Sequence, residues 1–420
     1  MQYVFVLNAN GEPLMPCHPA RARELLRRGR AAVLRHRPFT IILKEAVLEP
    51  QTQPLAVKVD PGSKQTGFAL VREGPPQARV LWAAEVAHRG ELVKRRMEQR
   101  RTLRRGRRTR HTRYRQPRFD NRHRPSTWVP PSRESRVANV VTWVRRLQKI
   151  APVTRLAMEL VRFDTQLMEN PEVRGVGYQQ GTLAGYEVRE YLLEKWGRKC
   201  SYCGKKDVPL EVEHIIPRAR GGSDCVSNLA LACNPCNVAK GTQTAEEFGH
   251  PNVQAQARRP LKDAAAVNTT RWEVWRRLQA FGLPLETATG GRTKFNRCQQ
   301  GLEKAHWIDA ACVGIAGGDV VLGPITGLQL KAAGHGRRQM CRTDKYGFPV
   351  AHKQRGQATH GFTTGDFVRS RKPKGKGAGI RVGNVTTRAS GCFDLHTFAG
   401  DVFSVNAKHC EILQRADGYR

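Results

Sequence analysis

LAVKVDPGSKQTGFALV, residues 55–71, reads as a strand that ends at Asp60, a Pro-Gly turn and a second strand through Phe68 and Leu70. VLWAAEVA, residues 80–87, supplies a third strand. An acid at a strand end is an ordinary surface residue when taken alone. Two later segments change its meaning. RLAMELV, residues 155–161, is a strand with Glu159 near its C-terminal end, and HWIDAACVGIAGG, residues 306–318, is an apolar helix ended by Gly317 and Gly318. His306 and Asp309 are three residues apart and so share a helix face. Three carboxylates from separate elements can hold two Mg²⁺ ions about 4 Å apart, which clamp the attacking and leaving oxygens of a phosphodiester. His306 would help deprotonate the water or position the scissile phosphate.

On the N-terminal side, residues 1–50 form a small α/β module: a strand Tyr3 to Leu7, a turn GEPLMP, a basic helix around Ala20 to Arg28, and strands near Ala32 to Leu34 and Phe39 to Leu43. On the C-terminal side, the run from Lys94 to Arg124 holds 15 Lys and Arg against Glu98 and Asp120, with only Leu92, Met97 and Leu103 to suggest an apolar stripe. It is too charged for a core helix. Arginine forks suit phosphate and stack on bases, and His111, Tyr114 and Phe119 interleave the run, so Arg95, Arg96, Arg100, Arg101, Arg104, Arg105, Arg107 and Arg108 are read as nucleic-acid contacts. A helix over 134–150 follows, and RWEVWRRLQAFG (271–282) is another. The last 100 residues alternate short β runs with Gly-rich turns and read as a small basic β-barrel.

The whole chain of 420 residues is 39% hydrophobic, enough for two or three packed domains. Its 72 Lys and Arg against 36 acids give a charge of +36, far beyond what solubility needs, so the expected partner is a polyanion. A membrane surface is the poorer choice, because no run of about 18 apolar residues occurs and MQYVFVLNANGEPLMP lacks a basic start. Nucleic acid remains. Eleven cysteines, an odd count, point to a reducing cytoplasm and to metal rather than disulfides.

Cys200-x-x-Cys203 and Cys233-x-x-Cys236 have the paired spacing of a structural Zn²⁺ site. Between and just after them, LEVEHIIPRARGGSDCVSNLALACNPCNVAKG (210–241) carries Glu213, His214, Asn228 and Asn237. An imidazole that titrates near neutrality can take a proton from water, and the oxygens of Glu213 and Asn237 suit one Mg²⁺. Asn228 would orient His214 through its backbone neighbours or its side chain. These residues resemble the HNH nuclease family, in the form whose last motif residue is Asn, which implies a ββα-metal fold and a one-metal cut of a single DNA strand. Glu213 stands where relatives often carry Asp, and the extra methylene bears on metal preference.

Taken in order, PLMP (13–16), KVDPGSKQTGFAL (58–70), the Arg-rich run, LAMEL (156–160), the HNH segment, GGRTKFNR (290–297), HWIDAACVG (306–314) and the β-rich tail resemble the IscB family, relatives of type II CRISPR effectors. The resemblance covers essentially the whole chain. It implies an α/β fold with an RNase H-like RuvC core split in three: an N-terminal PLMP domain (1–50), RuvC segment I (51–91), a bridge helix (92–130), RuvC segment II (131–190), an inserted HNH domain (191–250), RuvC segment III (251–320) and a basic β domain that reads the target-adjacent motif (321–420). It further implies a monomeric protein in a cytoplasmic, nucleoid-associated ribonucleoprotein. A structured guide called ωRNA pairs with double-stranded target DNA, HNH cuts the guide-paired strand, and RuvC cuts the displaced one. Asp60, Glu159, His306 and Asp309 fall on the RuvC motif residues, with Mg²⁺ on the three acids. Two other readings use the same residues: a nuclease that recognises DNA directly, and a basic scaffold with vestigial motifs.

Overall fold

The computed structural model describes residues 2–74, 77–110, 128–160, 186–258, 264–334, 341–346, 348–352, 358–375 and 377–420. His111, Tyr114 and Phe119 of the basic run, and the stretch 161–185, lie outside them. The chain divides into two compact units, one of Met1–Val57, Lys64–Thr154 and Val321–Arg420, the other of Lys58–Ser63 and Arg155–Val320. Among the described residues no helix is long and apolar enough to cross a membrane.

The first unit begins with a four-stranded sheet in the order Pro13–Cys17, Val4–Leu7, Phe39–Leu43, Ala31–His36. The central pair is parallel, and the helix Pro19–Arg27 buries Ala22 and Leu25. PLMP is a strand here, not the turn expected from its prolines: Leu14 and Pro16 alternate inward, and the strand lies at the sheet edge, where a missing N–H costs no ladder bond. The turn falls earlier, at Asn8 to Gly11. Gln65–Arg72 and Ala78–Ala87 form an antiparallel hairpin, and Leu328–Lys331 joins Ala78–Ala87 in parallel. Helix Pro131–Ile150 lays Trp143 on Trp82 with ring centroids 5.8 Å apart. The basic run forms a helix over Gly90–Thr109 in which only Gly90 is buried. With no apolar face inside, packing does little for it and its arginines stay in solvent. The tail folds as an antiparallel sheet ordered Val402–Asn406, Cys392–Thr397, Gly379–Thr386, Phe367–Lys372, Cys410–Gln414. Its core is Val368, Val385, Phe393, Leu395 and Val405.

Strand Leu55–Pro61 is buried at every residue and runs from the first unit into the second. Such an uninterrupted buried run is the mark of a strand covered on both faces. In the second unit, Val153–Glu159 lies between it and Leu285–Ala288, the latter pairing in parallel with Ala288 opposite Glu159. Asp60 and Glu159 therefore stand at the ends of neighbouring strands. The expected long helix from His306 stops at Ala311. Gly314, at a φ of 81°, turns the chain into a short 3₁₀ turn Ile315–Gly318.

The same unit contains a second, smaller core around Leu192, Trp196, Leu210, Ile215 and Leu231. Here Leu210–His214 pairs antiparallel with Leu229–Cys233, placing His214 opposite Leu229, and the helix Asn234–Lys240 follows at once. This is a β-β-α arrangement.

Candidate functional site

The four thiols of Cys200, Cys203, Cys233 and Cys236 lie within 4.8 Å of one another. A tetrahedral Zn²⁺ with bonds of about 2.3 Å requires sulfurs about 3.8 Å apart, and Cys203 and Cys233 stand 3.7 Å apart. The donor set fits the metal. Burial pushes the Cys236 thiol up to about 12. At Cys200 the upward push of burial is outweighed by backbone N–H groups of Cys203, Cys233 and Tyr202, leaving it at about 7. Four sulfurs this close can all be thiolates only around a cation.

His214 ends its strand half-buried, with Nε2 2.7 Å from Asp224 Oδ1. Arg218 donates from Nε and Nη2 to the same oxygen at 2.9 and 2.6 Å. The hydrogen bond from His214, and then those from Arg218, hold the Asp224 carboxyl below its usual range. Asn228 acts on the backbone beyond His214. Its Oδ1 accepts from Ile216 N at 2.9 Å, and its Nδ2 donates to Ile216 O at 3.0 Å and Ser223 O at 2.9 Å. The loop closes this tightly because residue 222 is glycine: a Cβ there would stand 1.7 Å from Ile216 O.

Alternation puts Glu211 and Glu213 on one strand face, where the helix residues Asn234, Asn237 and Lys240, at three-residue spacing, meet them. Asn237 donates to Glu211 Oε2 at 2.7 Å and Asn234 to Glu211 Oε1 at 3.2 Å. Glu213 is deeper. Tyr202 donates to its Oε2 at 2.5 Å and the Lys240 ammonium lies 2.6 Å from its Oε1, with Lys240 only 1% exposed. Lys240 also donates to His214 O at 2.9 Å. The hydrogen bonding thus joins Asn237 to Glu211, where the sequence reading paired it with Glu213. A cation on Glu213 has to displace Lys240 or share its carboxylate. The reason is local: at 6% exposure a carboxylate needs a counter-charge, and Lys240 supplies it.

The acids of the other constellation also have basic partners. His306 Nδ1 is 2.9 Å from Asp60 Oδ2. Arg271 Nη2 is 3.0 Å from Glu159 Oε1, and Arg297 Nε is 2.9 Å from Asp309 Oδ1. Asp60, Glu159, Arg271 and Arg297 are all buried. Burial first, and then the charge of Asp60, raise the Asp309 carboxyl to about 6, against the opposing pull of Arg297. A carboxyl raised by burial and by a neighbouring acid marks a crowded acidic site. The structure pairs His306 with Asp60, sets Asp309 within electrostatic reach of Asp60, and links Glu159 to the backbone beside Asp60 through Arg271, which also bonds Pro61 O at 3.1 Å. Sequence reasoning missed Arg271, Arg297, Asp224, Glu211 and Lys240. Arg297 closes the quoted GGRTKFNR segment and Asp224 lies in the quoted HNH stretch, but among 72 basic residues a single arginine carries no signal.

Comparison with known proteins matches residues 4–181 to a family described as RRXRR protein and residues 200–243 to one described as HNH endonuclease. The chain carries an HNH endonuclease domain behind an RRXRR region. The RRXRR region holds Asp60, the basic helix and Glu159; the HNH domain holds all four cysteines and everything from Glu211 to Lys240. This pair agrees with the IscB-type resemblance, and residues 200–243 are an HNH endonuclease domain. No curated protein matches. Among solved structures, Streptococcus thermophilus Cas9 in complex with the GGAA PAM is 12% identical with a TM-score of 0.22, over 61% of this chain and 31% of that one. The type II-C Cas9 enzyme from Actinomyces naeslundii is 14% identical with a TM-score of 0.23, over 62% of this chain and 59% of that one. The chain therefore spans less than two thirds of either.

Proposed function

We propose that this protein is an RNA-guided DNA endonuclease of the IscB type, in which the HNH domain cuts the guide-paired strand and a RuvC-type centre cuts the displaced strand. The observation that carries the reading is an HNH domain and a separate group of buried acids on one strongly basic chain. In this reading Leu55–Pro61, Val153–Glu159 and the His306 helix are the three split segments of an RNase H-like core, residues 1–50 are the PLMP domain, and the terminal sheet is a barrel-like domain that reads the target-adjacent motif.

In the HNH domain Asp224 accepts a hydrogen bond from His214 Nε2, which keeps the proton there and leaves Nδ1 to take one from the attacking water. Asn228 fixes the backbone past His214, so the ring keeps its aim. Glu211, Glu213 and Asn237 are the oxygen donors available to one Mg²⁺. In the second centre Asp60, Glu159 and Asp309 would hold two, with His306 managing the proton beside Asp60. Bound there, Mg²⁺ supplies charge neutralisation at the leaving oxygen. Zn²⁺ on the four cysteines ties the loop at Cys200 to the start of the Asn234 helix and sets the β-β-α frame. The exposed arginines of Gly90–Thr109 contact phosphates of guide and target, and the complex holds one protein chain.

The test is to express the protein with its flanking locus, purify it without nuclease treatment and sequence the RNA that remains bound. One structured RNA with a variable end is expected, with both strands of a duplex matching that end cut. Cleavage of duplex DNA by RNA-free protein would overturn guidance in favour of direct recognition.

A further inference from the structure

Arg271 lies on the helix Ala264–Gln279, outside the motifs on which the nuclease reading rests. It is 5% exposed. A buried guanidinium is costly unless a carboxylate and further acceptors meet it. Arg271 has both, and they belong to different strands: Nη2 meets Glu159 Oε1 at 3.0 Å, and Nε meets Pro61 O at 3.1 Å, one residue past Asp60. The guanidinium is planar, always charged and rigid, so the spacing between its two donors does not vary. One side chain therefore ties the carboxylate at one strand end to the backbone at the next. Asp60 pairs with His306 and Asp309 with Arg297. Arg271 bonds to two of the acid-bearing strands.

We propose that Arg271 is a positioning residue for divalent-cation binding at the acidic centre, setting the orientation of Glu159 relative to Asp60. This rests on the reading of that centre as a nuclease site. An apolar residue of equal bulk could hold two strand ends together, but it could not aim an oxygen of Glu159. Lysine keeps the charge but loses the fork, so Arg271→Lys separates the two contributions.

The experiment uses the ribonucleoprotein purified with its co-expressed RNA and stripped of Mg²⁺, with Mn²⁺ binding followed by electron paramagnetic resonance and melting by circular dichroism. Outer groups that orient metal ligands are typically worth about 10- to 100-fold in affinity or activity. Arg271→Lys should therefore weaken by about tenfold or more the Mn²⁺ binding that Asp60→Ala abolishes. The Mg²⁺ needed for the displaced-strand nick should rise in parallel, while the guide-paired nick and the melting temperature hold. Wild-type Mn²⁺ affinity in Arg271→Lys would overturn the proposal. So would equal loss of both nicks with a lowered melting temperature, which is a role in folding alone. Where the Lys variant does not fold, Arg271→Gln, which keeps a donor for Pro61 O, is read the same way. If Asp60→Ala binds as much Mn²⁺ as wild type, the nuclease reading of the centre fails, whatever Arg271 does.

Discussion

The HNH site takes every residue from the interval between Cys200 and Lys240, whereas the acidic centre joins His306 to Asp60 across 246 positions. The first is held by short loops, a two-stranded sheet and a four-thiol cluster. The second is held by ion pairs, those of Arg271 and Arg297 buried, between elements that meet only when the chain has folded. A local site stabilised by metal should fail when the metal is removed. A dispersed site stabilised by charge pairs should respond to single substitutions and to pH.

The largest difference should come from zinc. Structural zinc in small modules is worth about 10–16 kcal/mol, more than a small β-β-α frame gains from its own core. Zinc-selective chelation in excess Mg²⁺, or Cys200→Ser, should abolish the guide-paired nick, with loss of bound zinc by elemental analysis, and leave the displaced-strand nick. Loss of both nicks at once would break the distinction between the sites. Next come the reacting groups. General-base catalysis contributes about 10²- to 10⁴-fold, so His214→Ala should slow the guide-paired cut by that factor on strand-labelled DNA. Asp60→Ala should do the same or more to the displaced strand only.

Asp309 sharpens the contrast through stability. Raised from 3.8 to about 6, its carboxyl holds a proton in the folded chain over a range where the unfolded chain has released it. Stability of the metal-free protein should therefore fall as pH rises from about 4 through 6 and stay lower above it. Asp309→Asn should raise the metal-free melting temperature at pH 7, by up to about 3 kcal/mol in stability for a shift of this size, while ending the displaced-strand nick. A melting curve unchanged between pH 4 and 7 would count against a carboxyl destabilised in this way. The smallest effect is expected at Asp224, which orients His214 from a half-exposed position. Asp224→Asn should cost the guide-paired nick roughly tenfold, since orienting partners of this kind act through another group, and Asp224→Glu should recover part of it.

Much of this was legible because its signals are local. The two C-x-x-C pairs, the apolar run ending at Asp60, the strand before Glu159 and the three-residue spacing of His306 and Asp309 are visible to anyone counting along the chain. PLMP misled because prolines announce turns, yet an edge strand accepts them. Glu211 and Glu213 are two apart on one strand face, so residue type and spacing do not say which one meets Asn237. That depends on where the following helix places Asn237 and Lys240.

The sequence by itself determined the excess of positive charge, the paired cysteine spacing, the HNH motif of the central module and the positions of the acids proposed for the second centre. Each is a matter of composition or short spacing, which survives in any fold the chain could take. Only the tertiary structure decided the partners: Arg271 on Glu159, Arg297 on Asp309, Lys240 on Glu213 and Asp224 on His214. A buried charge takes whichever counter-charge the packed elements bring within about 3 Å, and that proximity is a property of the folded chain alone.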